Sequence, residues 1–178
     1  MSSSRTMVVF GFMIDFGSNR SGASHFAEIF RQQEWALLNG VVLEFADCVE
    51  IGTHSANDSS CCYVRPPGMS LPCANWRLER MECRVEVLRR FYDFLTGCQG
   101  FRFAQAGWEV FDELSVPEIL SGEFLHDKPP PGLVISRELW IQARKPKTFL
   151  SFSEYAMWCP LVADKDYLEI ARAFPGEG

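Results

Sequence analysis

A chain of 178 residues with a formal net charge of −6 has the length of one ordinary domain, enough to bury roughly 70% of its unfolded surface. Apolar residues at 47% and charged residues at 22% exclude global disorder. The acidic balance argues against a nucleic-acid partner, because phosphate contacts need clustered Lys and Arg, and no apolar run approaches the ~18 residues of a membrane-spanning helix.

Residues 7–16 read as a strand, apolar on both faces and therefore central in a sheet. Behind Arg5, the run from Met7 to Ile14 has the look of a secretory signal. Asp15 cuts it short and no small-residue cleavage site follows directly, so the expected compartment is the cytoplasm. A turn from Gly17 to Gly22 leads to a helix over 24–38, with Ser24 as N-cap and Phe26, Ile29, Phe30 and Leu37 on one face. Asn39 and Gly40 stop it, and Val41 to Ala46 reads as the next strand. Residues 52–75, rich in Ser, Asn, Pro and Gly, read as a long loop in which only Cys62 to Arg65 is strand-like.

Asn75 caps a helix from Trp76 to about Thr96, ended by Gly97, with Leu78, Met81, Val85, Leu88, Tyr92 and Leu95 along one stripe. Phe101 to Gln105 and Trp108 to Phe111 read as two strands joined through Gly107. Ser115 and Glu118 have the spacing of a capping box and predict a short helix. Lys128 to Gly132 is a stiff proline connector, Leu133 to Ile135 and Thr148 to Phe152 are further strands, and Asp164 caps a last helix before a frayed tail at 175–178. Strands and helices alternate without a regular βαβ rhythm. The expected fold is α+β: one domain over 1–178, a mixed or antiparallel sheet against about three to four helices.

Seven cysteines, an odd number without a C-x-x-C pair, read as reduced thiols. A zinc site can be imagined from His54, Cys61, Cys62 and Cys73, but adjacent Cys61 and Cys62 alternate sides if extended, which makes it awkward for both to reach one metal, and no metal and no cofactor is expected. Gly17, Gly22 and Ser24 have the spacing of a phosphate-binding loop, yet Ala23 stands where its lysine belongs. Arg144, Lys145 and Lys147 make a basic knot too small for nucleic-acid binding.

The strongest signal is charge segregation. Phe103 to Asp127 holds six acids (Glu109, Asp112, Glu113, Glu118, Glu123 and Asp127) and no Lys or Arg, whereas Lys128 to Lys147 holds five Lys and Arg against Glu138 alone. Such a field steers a cationic partner. Trp108, Phe111 and Phe124 fall in the same run and supply apolar anchors, so Glu109, Asp112, Glu113, Glu118, Glu123 and these three rings are the expected recognition face.

Small, acidic and aromatic-rich, with segments Gly132 to Trp140, Phe149 to Phe152 and Tyr155 to Pro160, the chain resembles the immunity proteins that bacteria make against secreted polymorphic toxins. The resemblance implies a cytoplasmic protein-binding inhibitor that masks a cationic toxin domain, and it carries over no functional residue. The competing reading is a small Cys-dependent hydrolase or transferase, with His126 as base and Asp127 as its orienter.

Overall fold

The computed structural model describes residues 10–54, 59–69, 78–108, 114–122, 125–126 and 129–161, with backbone alone for His54, 78–82 and Trp108. The elements are β1 (Phe10–Asp15), α1 (Arg20–Arg31), β2 (Glu34–Ala36), β3 (Val42–Glu44), β4 (Val49–His54), β5 (Ser59–Val64) and α2 (Leu78–Thr96). After them come β6 (Phe103–Trp108), α3 (Val116–Ser121), β7 (Val134–Ser136), α4 (Arg137–Gln142), β8 (Leu150–Ser151) and β9 (Ala156–Trp158). Seven strands form one sheet in the order β4-β5-β1-β6-β7-β9-β8, and β2 with β3 forms a separate hairpin. Every described pairing is antiparallel. The fold is α+β, as the sequence predicts.

The middle of the sheet is covered on both faces, and β1 shows why. All six of its residues are buried. Phe10, Phe12 and Ile14 face one core with α1, α2 and the β2–β3 hairpin, where Phe12 stacks on Phe91 at 4.1 Å between ring centroids. Met13 faces a second core with Phe103, Ile135, Met157, Leu114, Ile119, Leu125 and Leu139, contributed by neighbouring strands and the α3 and α4 regions. A strand sandwiched in this way loses the alternation of a half-exposed one and reads as continuously apolar. The chain crosses from β5 to β6 through α2, and small Ala104 and Ala106 on β6 line the α1/α2 face.

Several expectations change. The helix expected over 24–38 starts at Arg20 and ends at Arg31, because Asn19 rather than Ser24 is the N-cap, its side chain accepting the Gly22 amide. Trp35 and Leu37 are buried while Ala36 and Leu38 are exposed, a period of two that belongs to β2 and its turn. The 52–75 loop begins inside a hairpin, since β4 reaches His54 and β5 starts at Ser59. A Cβ on Gly52 would meet the Tyr63 ring at 2.9 Å, so its glycine is a packing requirement of a strand and not a mark of loop. β6 is continuous through Gly107, which pairs opposite Gly11. Besides β2 and β4, the sequence does not reveal β9, nor α4 with Ser136 as N-cap accepting the Leu139 amide at 3.1 Å. The expected Asn75 cap, the 128–132 connector's first residue, the last helix from Asp164 and the 175–178 tail lie outside the described residues.

Candidate functional site

The acidic stretch begins on β6, which crosses the middle of the sheet and brings Trp108 opposite Phe10. Leu114, Ile119 and Leu125 are buried in the second core, so the stretch is pinned to the α3/α4 side of the sheet at three places. Thr148 donates its hydroxyl to the Leu125 carbonyl at 2.7 Å and fixes the third. Between them α3 forms as its capping box dictates. The Glu118 carboxylate accepts from the Ser115 amide at 2.7 Å and from its hydroxyl at 2.6 Å, while the Ser115 oxygen accepts the Glu118 amide. Pro117 in the first turn has no amide to leave unpaired.

Among the sequence-named recognition residues, the structure describes Glu118 and the backbone of Trp108. Glu109, Phe111, Asp112, Glu113, Glu123 and Phe124 lie outside the described residues, as does Asp127. Glu118 is at the surface but its carboxylate is committed to the helix start, which holds it back from a partner. One apolar side chain in the stretch escaped the sequence reading: Leu120 is 42% exposed, next to fully buried Ile119. Neighbouring positions on one short helix carry no periodic signal that separates inward from outward.

A second cluster sits where β1 ends. Asp15 is completely buried, and its Oδ1 accepts from the Gly17 amide at 3.0 Å and from Arg102 Nε at 2.6 Å. Oδ2 lies 3.5 Å from the Cys61 thiol, the residue directly across in β5. Arg102 Nη2 donates to the Ser59 hydroxyl at 2.5 Å. A side chain at Gly17, whose φ is +59°, would collide with Arg102 at 2.7 Å, so the turn needs its glycine twice over. The backbone of Arg102 also bonds Asp15 and Ser136. This node joins β1, β5, β6 and the start of α4.

Two clefts share Gln99. One, of about 470 Å³, lies between α1 and the end of α2 and is lined by His25, Phe26, Ile29, Phe94 and Cys98. The other, of about 260 Å³, is lined by Arg102, Ser136, Glu138 and Tyr155. Among the described residues, Cys98 and His25 thus bring a thiol and an imidazole to one cleft, whereas His126, the base of the competing sequence reading, is exposed on the opposite side of the sheet. Burial pushes the Cys98 thiol from its ordinary 9.0 up to about 11. Cys62 goes up to about 12, burial outweighing the opposing pull of Arg31, and Cys48 is raised by burial and then by Asp47. Thiol chemistry needs a depressed value, so these three are poor nucleophiles.

Cys61 and Cys62 do point to opposite faces, Cys61 toward Asp15 and Cys62 into the α1/α2 core. Among the described residues no three His, Cys, Asp or Glu side chains gather to hold a metal. The turn once comparable to a phosphate loop is closed by its own Asn19 side chain, which takes the helix amide an anion would use. No described helix is long and apolar enough to cross a membrane. Comparison of the chain with protein-family models, curated proteins and solved structures finds no match in any of the three.

Proposed function

We propose that this chain is a protein-binding inhibitor, an immunity protein that neutralises a cognate secreted bacterial toxin in the cytoplasm by covering its cationic active site. The observation that carries the reading is the run of six acids without a Lys or Arg between Phe103 and Asp127, attached to the sheet at Leu114, Ile119 and Leu125. Concentrated charge on an anchored segment raises encounter rates and repels wrong partners. Trp108, Phe111 and Phe124, joined by exposed Leu120, supply the apolar contacts that hold the complex once formed.

The enzyme alternative has less to stand on, because burial raises the Cys48, Cys62 and Cys98 thiols away from reactivity. The test is charge reversal at Asp112 and Glu113, which leaves the capping acid Glu118 in place. Association with the partner slows by roughly tenfold and loses much of its salt dependence, while the thermal midpoint is unchanged. An association rate equal to that of the unaltered protein would remove the acidic stretch from the interface.

A further inference from the structure

The β2–β3 hairpin carries on its outer face two features that folding does not ask for. Its register sets Glu34 opposite Glu44, Trp35 opposite Leu43 and Ala36 opposite Val42. The Leu37 amide donates to the Val41 carbonyl at 2.8 Å, which by alternation places Glu34 and Glu44 at a non-hydrogen-bonded pair, the kind in which side chains come closest. Like charges directly opposite destabilise a strand pair. Neither carboxylate has an ion-pair partner among the described residues.

Toward the turn from the two acids, beyond the Ala36–Val42 pair, lies an apolar tip, with Leu38 94% exposed and Val42 48% exposed. The tip is held in place. Glu86 on α2 accepts the Leu38 amide at 2.9 Å, and Arg90 bonds both the Ala36 carbonyl at 2.6 Å and Glu86 at 2.9 Å. Inward-facing Trp35 and Leu43 pack in the α1/α2 core and fix the other side. A single exposed leucine is ordinary. Fixed on the same hairpin as two facing carboxylates that have no ion-pair partner among the described residues, it completes a preorganised contact surface.

We propose that the outer face of this hairpin docks a protein partner that presents an arginine or lysine between apolar side chains. The cation sits between Glu34 and Glu44, and the partner's apolar groups cover Ala36, Leu38 and Val42. A second copy of this chain is the wrong occupant, since twofold pairing of the face would bring four carboxylates together. An anionic lipid surface is repelled for the same reason. The hairpin packs on the α1/α2 core and α3 on the opposite one, so this surface is separate from the acidic stretch and goes beyond the function proposed for it.

The probe is a short capped peptide alternating leucine and arginine, titrated into the full-length ¹⁵N-labelled protein, with the glutamate-for-arginine peptide as control. Saturable amide shifts concentrated on 34–44 with the arginine peptide alone are expected. Glu34→Gln with Glu44→Gln, or Leu38→Ser, weakens the peptide by roughly tenfold. The double glutamine variant has a raised thermal midpoint, because it relieves the facing charges. Shifts confined to 109–123 would overturn the hairpin surface and leave the acidic stretch standing, and shifts nowhere would count against both. Unchanged peptide binding in the variants, or a lowered midpoint for the glutamine pair, would also overturn it.

Discussion

Asp15 is a fully buried carboxylate at the end of β1, and among the described residues its ion-pair partner is Arg102. Removing that partner leaves a charge in the interior, which costs more than the pair itself contributes. Arg102→Met should therefore destabilise the domain by about 3 kcal/mol in urea titration, and adding Asp15→Asn should recover part of the loss. Full additivity of the two changes would contradict this account. Ser115→Ala should cost about 1 kcal/mol through the lost cap. These two sites also mark what a sequence can disclose about residues. Ser115 and Glu118 are three apart and their capping geometry is a local rule, so the spacing was enough. Asp15 and Arg102 are 87 positions apart. Their pairing exists only because β1 and β6 are neighbours, and in the sequence Asp15 reads merely as an interruption of an apolar run.

The thiols give a pH dependence of definite sign. For Cys62 and Cys98 the folded pKa, about 12 and about 11, lies above the ordinary 9.0. The folded state keeps a proton that the unfolded chain releases, so stability from these groups is complete below pH 9 and is lost as pH rises toward 11 and 12. Alkaline denaturation followed by circular dichroism should begin above pH 9 and be shallower in Cys62→Ala with Cys98→Ala. Iodoacetamide at pH 8 should label Cys62 and Cys98 slowly in the folded protein.

At the level of elements, the clearest case is the segment after α1. The sequence reading carried a helix through to Leu38 because Phe26, Ile29, Phe30 and Leu37 recur at helical intervals. In the structure Ile29 is exposed, and Leu37 is buried from a turn instead of from a helix. Three residues of strand are too few for periodicity to outvote a preceding helix, and the tie from Glu86 and Arg90 that holds the hairpin comes from α2. Arg90→Ala should raise amide exchange over 36–41 severalfold while costing about 1 kcal/mol globally. Unaltered exchange there would mean that Trp35 and Leu43 hold the hairpin without help. Long elements were easier to read. α2 and β1 declared themselves through an apolar stripe and an uninterrupted apolar run, whereas α4 and β9, at six and three residues, offered too little pattern.

For the molecule as a whole, the antiparallel sheet separates two surfaces. On one side the acidic stretch is anchored at Leu114, Ile119 and Leu125, and on the other the hairpin carries exposed Leu38 at its turn and Glu34 facing Glu44 at its far end. The fold class was legible because both-face burial of β1 and the absence of a βαβ rhythm leave few arrangements. Strand order was not, since it depends on contacts between distant segments. The charge segregation was visible at once, but its attachment points were not, because Leu114, Ile119 and Leu125 become anchors only when the second core assembles around Met13 and Phe103. Screening acts over about 8 Å at physiological salt, so an interface steered by this stretch must weaken as salt rises.

The most direct test is affinity capture from the native host with the full chain and with an Asp112→Lys, Glu113→Lys variant, each at low and high salt, read by mass spectrometry. The account predicts one basic polypeptide held stoichiometrically at low salt by the unaltered protein and lost from the variant. An empty column, or the same polypeptide retained equally by both, would contradict it.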